Sequence, residues 1–220
     1  MLTKLRILPA ALIAAALALS AGAARAGAGI SDPANDFIPS FTGVHAADLD
    51  VLSAFVTYDP GANLFSFSGT MAGAIGTTAS SLYVWGLDRG QGTARFGAVA
   101  TGVLFDSVLA IKADGTGTVS LLTGSPTTTA LPAGSVSFSG NTITASVSGG
   151  LLPANGLPPS AFTWNLWPRD TTQAGVAAIS DFAPNNSNVA VALVPEPSTW
   201  ALMALGLGLL GWRARQPRAA

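Results

Sequence analysis

The chain predicts an all-β fold: a single sandwich-like domain of the jelly-roll or immunoglobulin type, with an N-terminal signal helix and a C-terminal hydrophobic helix at its flanks. Three observations carry that reading. Between its ends the sequence is built from Gly, Ser, Thr, Ala and Val and nearly lacks Lys and Glu, a mixture that suits strands and tight turns and makes poor surface helices. Short apolar runs, several of them alternating with polar residues, are punctuated by turn-forming residues about every ten positions. No amphipathic helix separates these runs, as a parallel α/β sheet would require.

Taken in order, Gly27 to Ser40 carries Asp32-Pro33, Asn35, Asp36 and Pro39 and reads as a loose lead-in. Leu49 to Tyr58 and Leu64 to Met71 form a predicted hairpin about Asp59-Pro60-Gly61-Ala62-Asn63, where Pro and Gly supply turn geometry. Within it, Phe65-Ser66-Phe67-Ser68 sends both rings to one face and both hydroxyls to the other. Leu82 to Leu87 is a short strand that ends at the turn Asp88-Arg89-Gly90-Gln91-Gly92, and Ala94 to Ala100 and Val103 to Ala113 are further strand candidates. Asp114-Gly115-Thr116-Gly117 turns the chain into a strand at Thr118 to Leu122. The Thr- and Pro-rich stretch Ser125 to Gly134 reads as an exposed loop, and Ser135 to Ser139 with Thr142 to Ser148 flanks the two-residue turn Gly140-Asn141. Leu151 to Ser160 is a proline-rich loop, and Ala161 to Trp167 is strand-like. Val176 to Phe182 and Asn188 to Val194 are expected to pair as closing strands across Ala183 to Ser187.

The two ends are written in a different chemistry. Lys4 and Arg6 precede the uncharged Ala/Leu-rich run Ile7 to Ala24, which closes on Ala24-Arg25-Ala26. This is the plan of a cleavable secretory signal peptide, cut after Ala26 or, as second choice, after Ala23, and it implies passage through a Sec-type translocon. At the other end stands Glu196, the only glutamate among eleven acidic residues, between Pro195 and Pro197. The two prolines hold Val194 to Pro197 in extended geometry that an enzyme can grip. Ser198 and Thr199 follow, and then an apolar run from Trp200 to Trp212 that includes Leu202, Leu205, Leu207, Leu209 and Leu210. As a helix, Ser198 to Trp212 is roughly 22 Å long, short of the ~30 Å hydrocarbon core of a bilayer. Arg213, Arg215 and Arg218 make a positive cluster that stays on the cytoplasmic side, which leaves the body of the chain on the far side. The division is thus residues 1–26 as signal peptide, 27–193 as β-rich body and 194–220 as terminal signal.

Val194-Pro195-Glu196-Pro197-Ser198-Thr199-Trp200, followed by a Gly/Leu-rich helix and then arginines, resembles the PEP-CTERM sorting signal of exported Gram-negative bacterial proteins. The resemblance covers about the last 27 residues. It implies a precursor held transiently in the inner membrane and cut near Pro-Glu-Pro by an exosortase, a membrane-embedded cysteine transpeptidase-like enzyme. It further implies release or attachment at the cell surface or in the extracellular matrix, in species that make exopolysaccharide or biofilm. The arginines depart from the usual pattern, since Ala214 interrupts them. As with a GPI signal, the hydrophobic tail is an address to be removed.

With the ends set aside, charge becomes informative. Six of the ten basic residues lie in the two signals, so the body keeps Arg89, Arg95, Lys112 and Arg169 against ten aspartates, a net charge of −6 from 4 minus 10. That sign excludes a nucleic-acid binder, whose affinity comes from neutralising phosphates. The chain has no cysteine, so disulfides and thiolate sites are excluded.

No catalytic centre is expected. His45 is the single histidine, near Asp48 and Asp50, and no G-x-S-x-G elbow accompanies it. No cofactor or metal is expected either, because zinc lacks its His and Cys ligands. Calcium has only Asp88-Arg89-Gly90 and Asp114-Gly115-Thr116-Gly117 as nearby candidates, and aspartates in such places are turn formers first. Tyr83, Trp85 and Trp164 are candidate sugar-stacking rings for a carbohydrate-binding module that holds exopolysaccharide, with membership of the core as the competing expectation. Trp167 belongs to the same group of large rings, and Asn185-Asn186-Ser187 reads as a polar turn.

Overall fold

Alternation along each run determines which side chains face inward, and backbone pairing then sorts the runs into sheets. The computed structural model describes residues 29–194 and 197–214. Its strands are β1 (Gly29–Ser31), β2 (Val51–Asp59), β3 (Leu64–Met71), β4 (Ser81–Asp88), β5 (Thr93–Ala94), β6 (Leu104–Phe105) and β7 (Ser107–Lys112). They continue with β8 (Gly117–Leu121), β9 (Thr127–Ala130), β10 (Val136–Ser139), β11 (Thr142–Ser148), β12 (Thr163–Asp170), β13 (Val189–Ala190) and β14 (Ala192–Leu193). Among the described residues a single α-helix, α1, spans Pro197–Ala214.

One six-stranded sheet has the order β1-β2-β3-β11-β10, with β14 also paired to β2; the other runs β13-β12-β4-β7-β8-β9. All their pairings are antiparallel except β14 with β2, and β5 and β6 form a small separate ribbon. The two predicted hairpins are present. In the first, Asn63 takes the left-handed conformation at φ 49° and its Oδ1 accepts the Tyr58 hydroxyl at 2.9 Å. In the second, Gly140 at φ 61° turns β10 into β11.

Four expectations from the sequence are corrected. The lead-in contains β1, which pairs with β2 from Gly29 opposite Phe55 to Ser31 opposite Ser53. Ala94 to Ala100 is a strand only at its first residue, because the segment leaves the ribbon and carries Phe96 onto the Trp167 ring. Ser125 to Gly134 holds the exposed edge strand β9, registered on β8, so backbone pairing prevails over its loop-like composition. Val176 to Phe182 is a 3-10 turn followed by an isolated bridge from Ile179 to Arg169, and it does not pair with the last strands. Those strands divide instead, β13 joining β12 and β14 joining β2. Val191 sits buried between them and donates its N–H to the Phe162 carbonyl at 2.9 Å.

The two sheets bury one aromatic core between them, with Phe65, Phe67, Ile143 and Val147 from the first and Tyr83, Trp85, Leu109, Trp164 and Leu166 from the second. Phe67 meets Trp85 edge-on at 6.0 Å, and Phe65 stacks on Phe162 at 5.7 Å. Burying each such ring contributes about 1.5–3 kcal/mol. The second sheet is also covered on its outer face, where Trp167, Phe105, Ile179 and Phe182 form a smaller cluster under the segments around residues 96–105 and 176–183. That double cover explains why β4 and β12 are buried almost continuously rather than at alternate positions.

The close approach of Trp167 leaves no room beside Gly86, where an added Cβ would collide with the indole ring. At the end of β4, Arg89 is buried and bonded through Nε to Asp106 Oδ1 at 2.9 Å, the only ion pair among the described residues. Asp106 also accepts the Gln91 N–H and the Asn155 amide, while Arg89 Nη1 donates to the Pro153 carbonyl. Loops from three parts of the chain meet at this pair.

Gly86→Val is expected to destabilise the domain by about 1–3 kcal/mol through overpacking, read as a lower urea midpoint at unchanged m-value. Asp106→Ala leaves a buried guanidinium uncompensated and is expected to cost about 3–5 kcal/mol in the same measurement.

Candidate functional site: the sorting segment and the buried carboxylates

The last strand delivers the chain directly into the terminal signal. Ala192 and Leu193 lie beside Thr57 and Tyr58 of β2, and Val194 donates its N–H to the Tyr58 carbonyl at 2.9 Å. Helix α1 begins at Pro197, so only two residues separate the last sheet-bonded amide from the helix. Its 18 residues extend about 27 Å. Met203, Leu205, Leu207, Leu209 and Leu210 are exposed along it. No helix among the described residues is long and apolar enough to cross a membrane.

The backbone is helical at Ser198, Thr199, Trp200, Leu202, Trp212 and Arg213. Pro195 and Glu196 of the motif, Arg215 and Arg218 of the basic tail, and Ala24 and Ala26 of the signal cleavage site lie outside the described residues.

Tyr83, Trp85 and Trp164 are fully buried, which corrects their reading as sugar-stacking rings. Inward positions on β4 and β12 place them between the sheets, where no ligand ring can lie against them. Burial also pushes the Tyr83 phenol above its ordinary pKa. His45 is exposed and stacks on Phe37 at 4.3 Å. Its two acidic neighbours turn elsewhere: Asp48 accepts the Thr78 N–H and hydroxyl, and Asp50 Oδ2 accepts the Asn35 N–H. The three do not assemble as a relay.

Asp88 and Asp114, the sequence's calcium candidates, each cap their own turn. Asp88 Oδ1 accepts from Gly90 and Gly92, and Asp114 Oδ1 accepts the Thr116 N–H and hydroxyl, which holds its carboxyl below the usual range. Asn186 and Ser187 are part of a polar turn, with Asn186 Oδ1 accepting the Gly102 N–H and the Ser187 carbonyl accepting from Asn165.

A different group of aspartates comes together only in three dimensions. Asp32, Asp36 and Asp181 bring carboxylate oxygens within 4.8 Å of one another. Asp181 is fully buried and accepts the Val51 N–H at 3.0 Å across 130 positions of sequence. Burial pushes Asp181 up to about 8, helped by the charges of Asp32 and Asp36 and opposed by its bond from Val51. Burial likewise pushes Asp32 up to about 7, with Asp36 adding repulsion, and it raises Asp50 as well. Sequence reasoning missed this group because its members are scattered along the chain; the available signal was the shortage of basic residues to neutralise ten aspartates.

The outer face of the first sheet is of another kind. Ser66, Ser68 and Thr70 of β3 stand beside the hydroxyl residues of β11, with Ser146 opposite Ser66, Thr144 opposite Ser68 and Thr142 opposite Thr70. Ser137 and Ser139 of β10 extend the row, and the Thr70 and Thr142 hydroxyls bond at 3.2 Å. These positions carry hydroxyls and no charge.

Fold and ends together define an exported-type chain, a β-sandwich body with a routing segment fused to its last strand. A family model described as "PEP-CTERM protein-sorting motif" matches residues 193–218, so the chain carries that motif at its C-terminal end. The motif implies an exported, membrane-transiting precursor sorted to the cell surface through an exosortase. No curated protein and no solved structure matches the chain.

The raised carboxyls give a pH dependence with a definite sign. Between the ordinary carboxylate value of 3.8 and about 8, the folded chain keeps protons that the unfolded chain has released. Their contribution to stability is complete at low pH and is lost as pH rises through about 7 and 8. In buffer free of divalent ions, Tm is expected to fall between about pH 5 and pH 8, and Asp32→Asn is expected to flatten that fall. Thermal unfolding followed by circular dichroism at a series of pH values checks both.

Proposed function

We propose that the protein is a non-enzymatic component of the cell surface or extracellular matrix, associated with biofilm or exopolysaccharide. It leaves the cytoplasm through the Sec translocon on its N-terminal signal. The inner membrane then holds it transiently by the C-terminal helix until an exosortase acts near Pro195-Glu196-Pro197. The observation that carries this reading is the PEP-CTERM motif at residues 193–218, joined directly to the last strand of the sandwich.

The uncharged hydroxyl face of β3, β10 and β11 supports a matrix role, because it offers many weak hydrogen-bonding groups to a hydrated polysaccharide without strong electrostatic demands. It takes over the place that Tyr83, Trp85 and Trp164 lose by burial.

Intact-mass analysis of the protein from its native host tests the routing. The expected species begins near Gly27 and ends near the Pro-Glu-Pro motif. Glu196→Ala is expected to leave a full-length tail on most of the protein and to shift it into the inner-membrane fraction. Retention of Trp200 to Ala220 on the mature wild-type protein would make the tail an anchor and overturn the processing step.

A further inference from the structure

We propose that Asp32, Asp36 and Asp181, completed by Asp50, form a calcium site that ties the N-terminal lead-in to the covering segment of the second sheet. Calcium takes six to eight oxygen ligands at about 2.3–2.6 Å, so two oxygens on one ion stand up to about 5 Å apart. The three carboxylates meet that condition, with ligand atoms within 4.8 Å of one another.

A second observation comes from outside the trio. Asp50 is only 1% exposed, and its Oδ1 has no hydrogen-bond donor among the described residues. Its Oδ2 accepts the N–H of Asn35 at 2.9 Å, which lays the carboxylate against the loop that carries Asp32 and Asp36. Asp32 Oδ2 and Asp36 Oδ1 are likewise buried without a donor. Two oxygens of the trio and one of the neighbouring Asp50 thus lack a hydrogen-bond partner among the described residues, and the single ion pair among those residues is elsewhere, at Arg89 and Asp106.

Leaving such groups unpaired is costly, because a buried carboxylate must be paired, bound to a metal or neutralised by a proton. An all-oxygen donor set with no His or Cys selects a hard cation. Oxygens from a lead-in loop, a strand entrance and a covering segment suit the variable geometry of calcium better than the strict octahedron of magnesium. The ion would hold the segment from Asp32 to Asp36 and the segment at Asp181 to the start of β2, where Asp181 already accepts the Val51 N–H. The sequence pointed to Asp88 and Asp114 and to the absence of a metal; the tertiary arrangement points to four other aspartates. The site stands independently of the sorting reading.

The test uses the full chain in mild detergent, stripped with EDTA, dialysed and titrated with calcium chloride at constant ionic strength. One-to-one binding with Kd of about 10⁻⁴–10⁻³ M is expected, as for extracellular calcium modules. At about 10 mM calcium, Tm is expected to rise by about 3–10 °C. Asp36→Asn is expected to weaken binding about tenfold or more while leaving the metal-free Tm equal to or above that of the wild type, since it removes a like charge. Asp32→Asn provides the same readout if Asp36→Asn fails to fold. Absence of binding or of a Tm shift overturns the proposal. So does an equal response to magnesium, or an undiminished calcium response in both variants. Failure of tail processing in the host would leave this result untouched.

Discussion

The apposition of the two sheets over one aromatic layer is the interaction on which the rest of the structure depends. Without cysteine, and with a single buried ion pair among the described residues, the domain has burial and backbone hydrogen bonding as its main sources of stability. Phe65 and Phe67 from one sheet and Trp85 and Trp164 from the other fill the space between them. Gly69 makes this possible, since an added Cβ there would lie 3.0 Å from both Trp85 and Leu166. The tight packing also has a functional consequence: rings locked between sheets are withdrawn from ligands, so any surface chemistry falls to loops and to the hydroxyl face.

The sandwich is asymmetric in what it shows to solvent. The second sheet is covered on its outer side by the segments that carry Phe96, Phe105, Ile179 and Phe182 around Trp167. The first sheet presents serines and threonines, and its β2 edge receives both ends of the body, β1 antiparallel and β14 parallel. Entrance and exit of the domain therefore share one strand. The C-terminal sorting motif thus leaves the body at the same strand that receives its N-terminal end.

Electrostatics completes the picture by exclusion. The buried cation Arg89 is fully engaged with Asp106 and the Pro153 carbonyl. Asp32, Asp36, Asp50 and Asp181 consequently have no positive side chain bonded to them among the described residues, and burial raises the carboxyl pKa of Asp32, Asp50 and Asp181. Protonation relieves this arrangement at low pH, and the proposed cation would relieve it at neutral pH.

Local chemistry made several features legible in the sequence. The hairpins at Asp59 to Asn63 and Gly140-Asn141 depend on turn residues and alternation, both local properties, and they were read correctly. The C-terminal sorting motif was legible for the same reason, since a processing enzyme must read it as a linear segment. The pairing of Asn188 to Val194 is decided far away: the same apolar residues serve either sheet, and the crossing between them is settled by Phe162, whose carbonyl accepts from Val191, and by Tyr58, whose carbonyl accepts from Val194. Whether Trp85 and Trp164 stack on sugar or fill a core was likewise open, because an aromatic on an alternating strand looks the same in either role. The sequence by itself determined the strand class, the turns and the address, all written in neighbouring residues. Only the tertiary structure decided which face each tryptophan took and which aspartates met, since burial and carboxylate clustering arise from contacts between residues as distant in the chain as Val51 and Asp181.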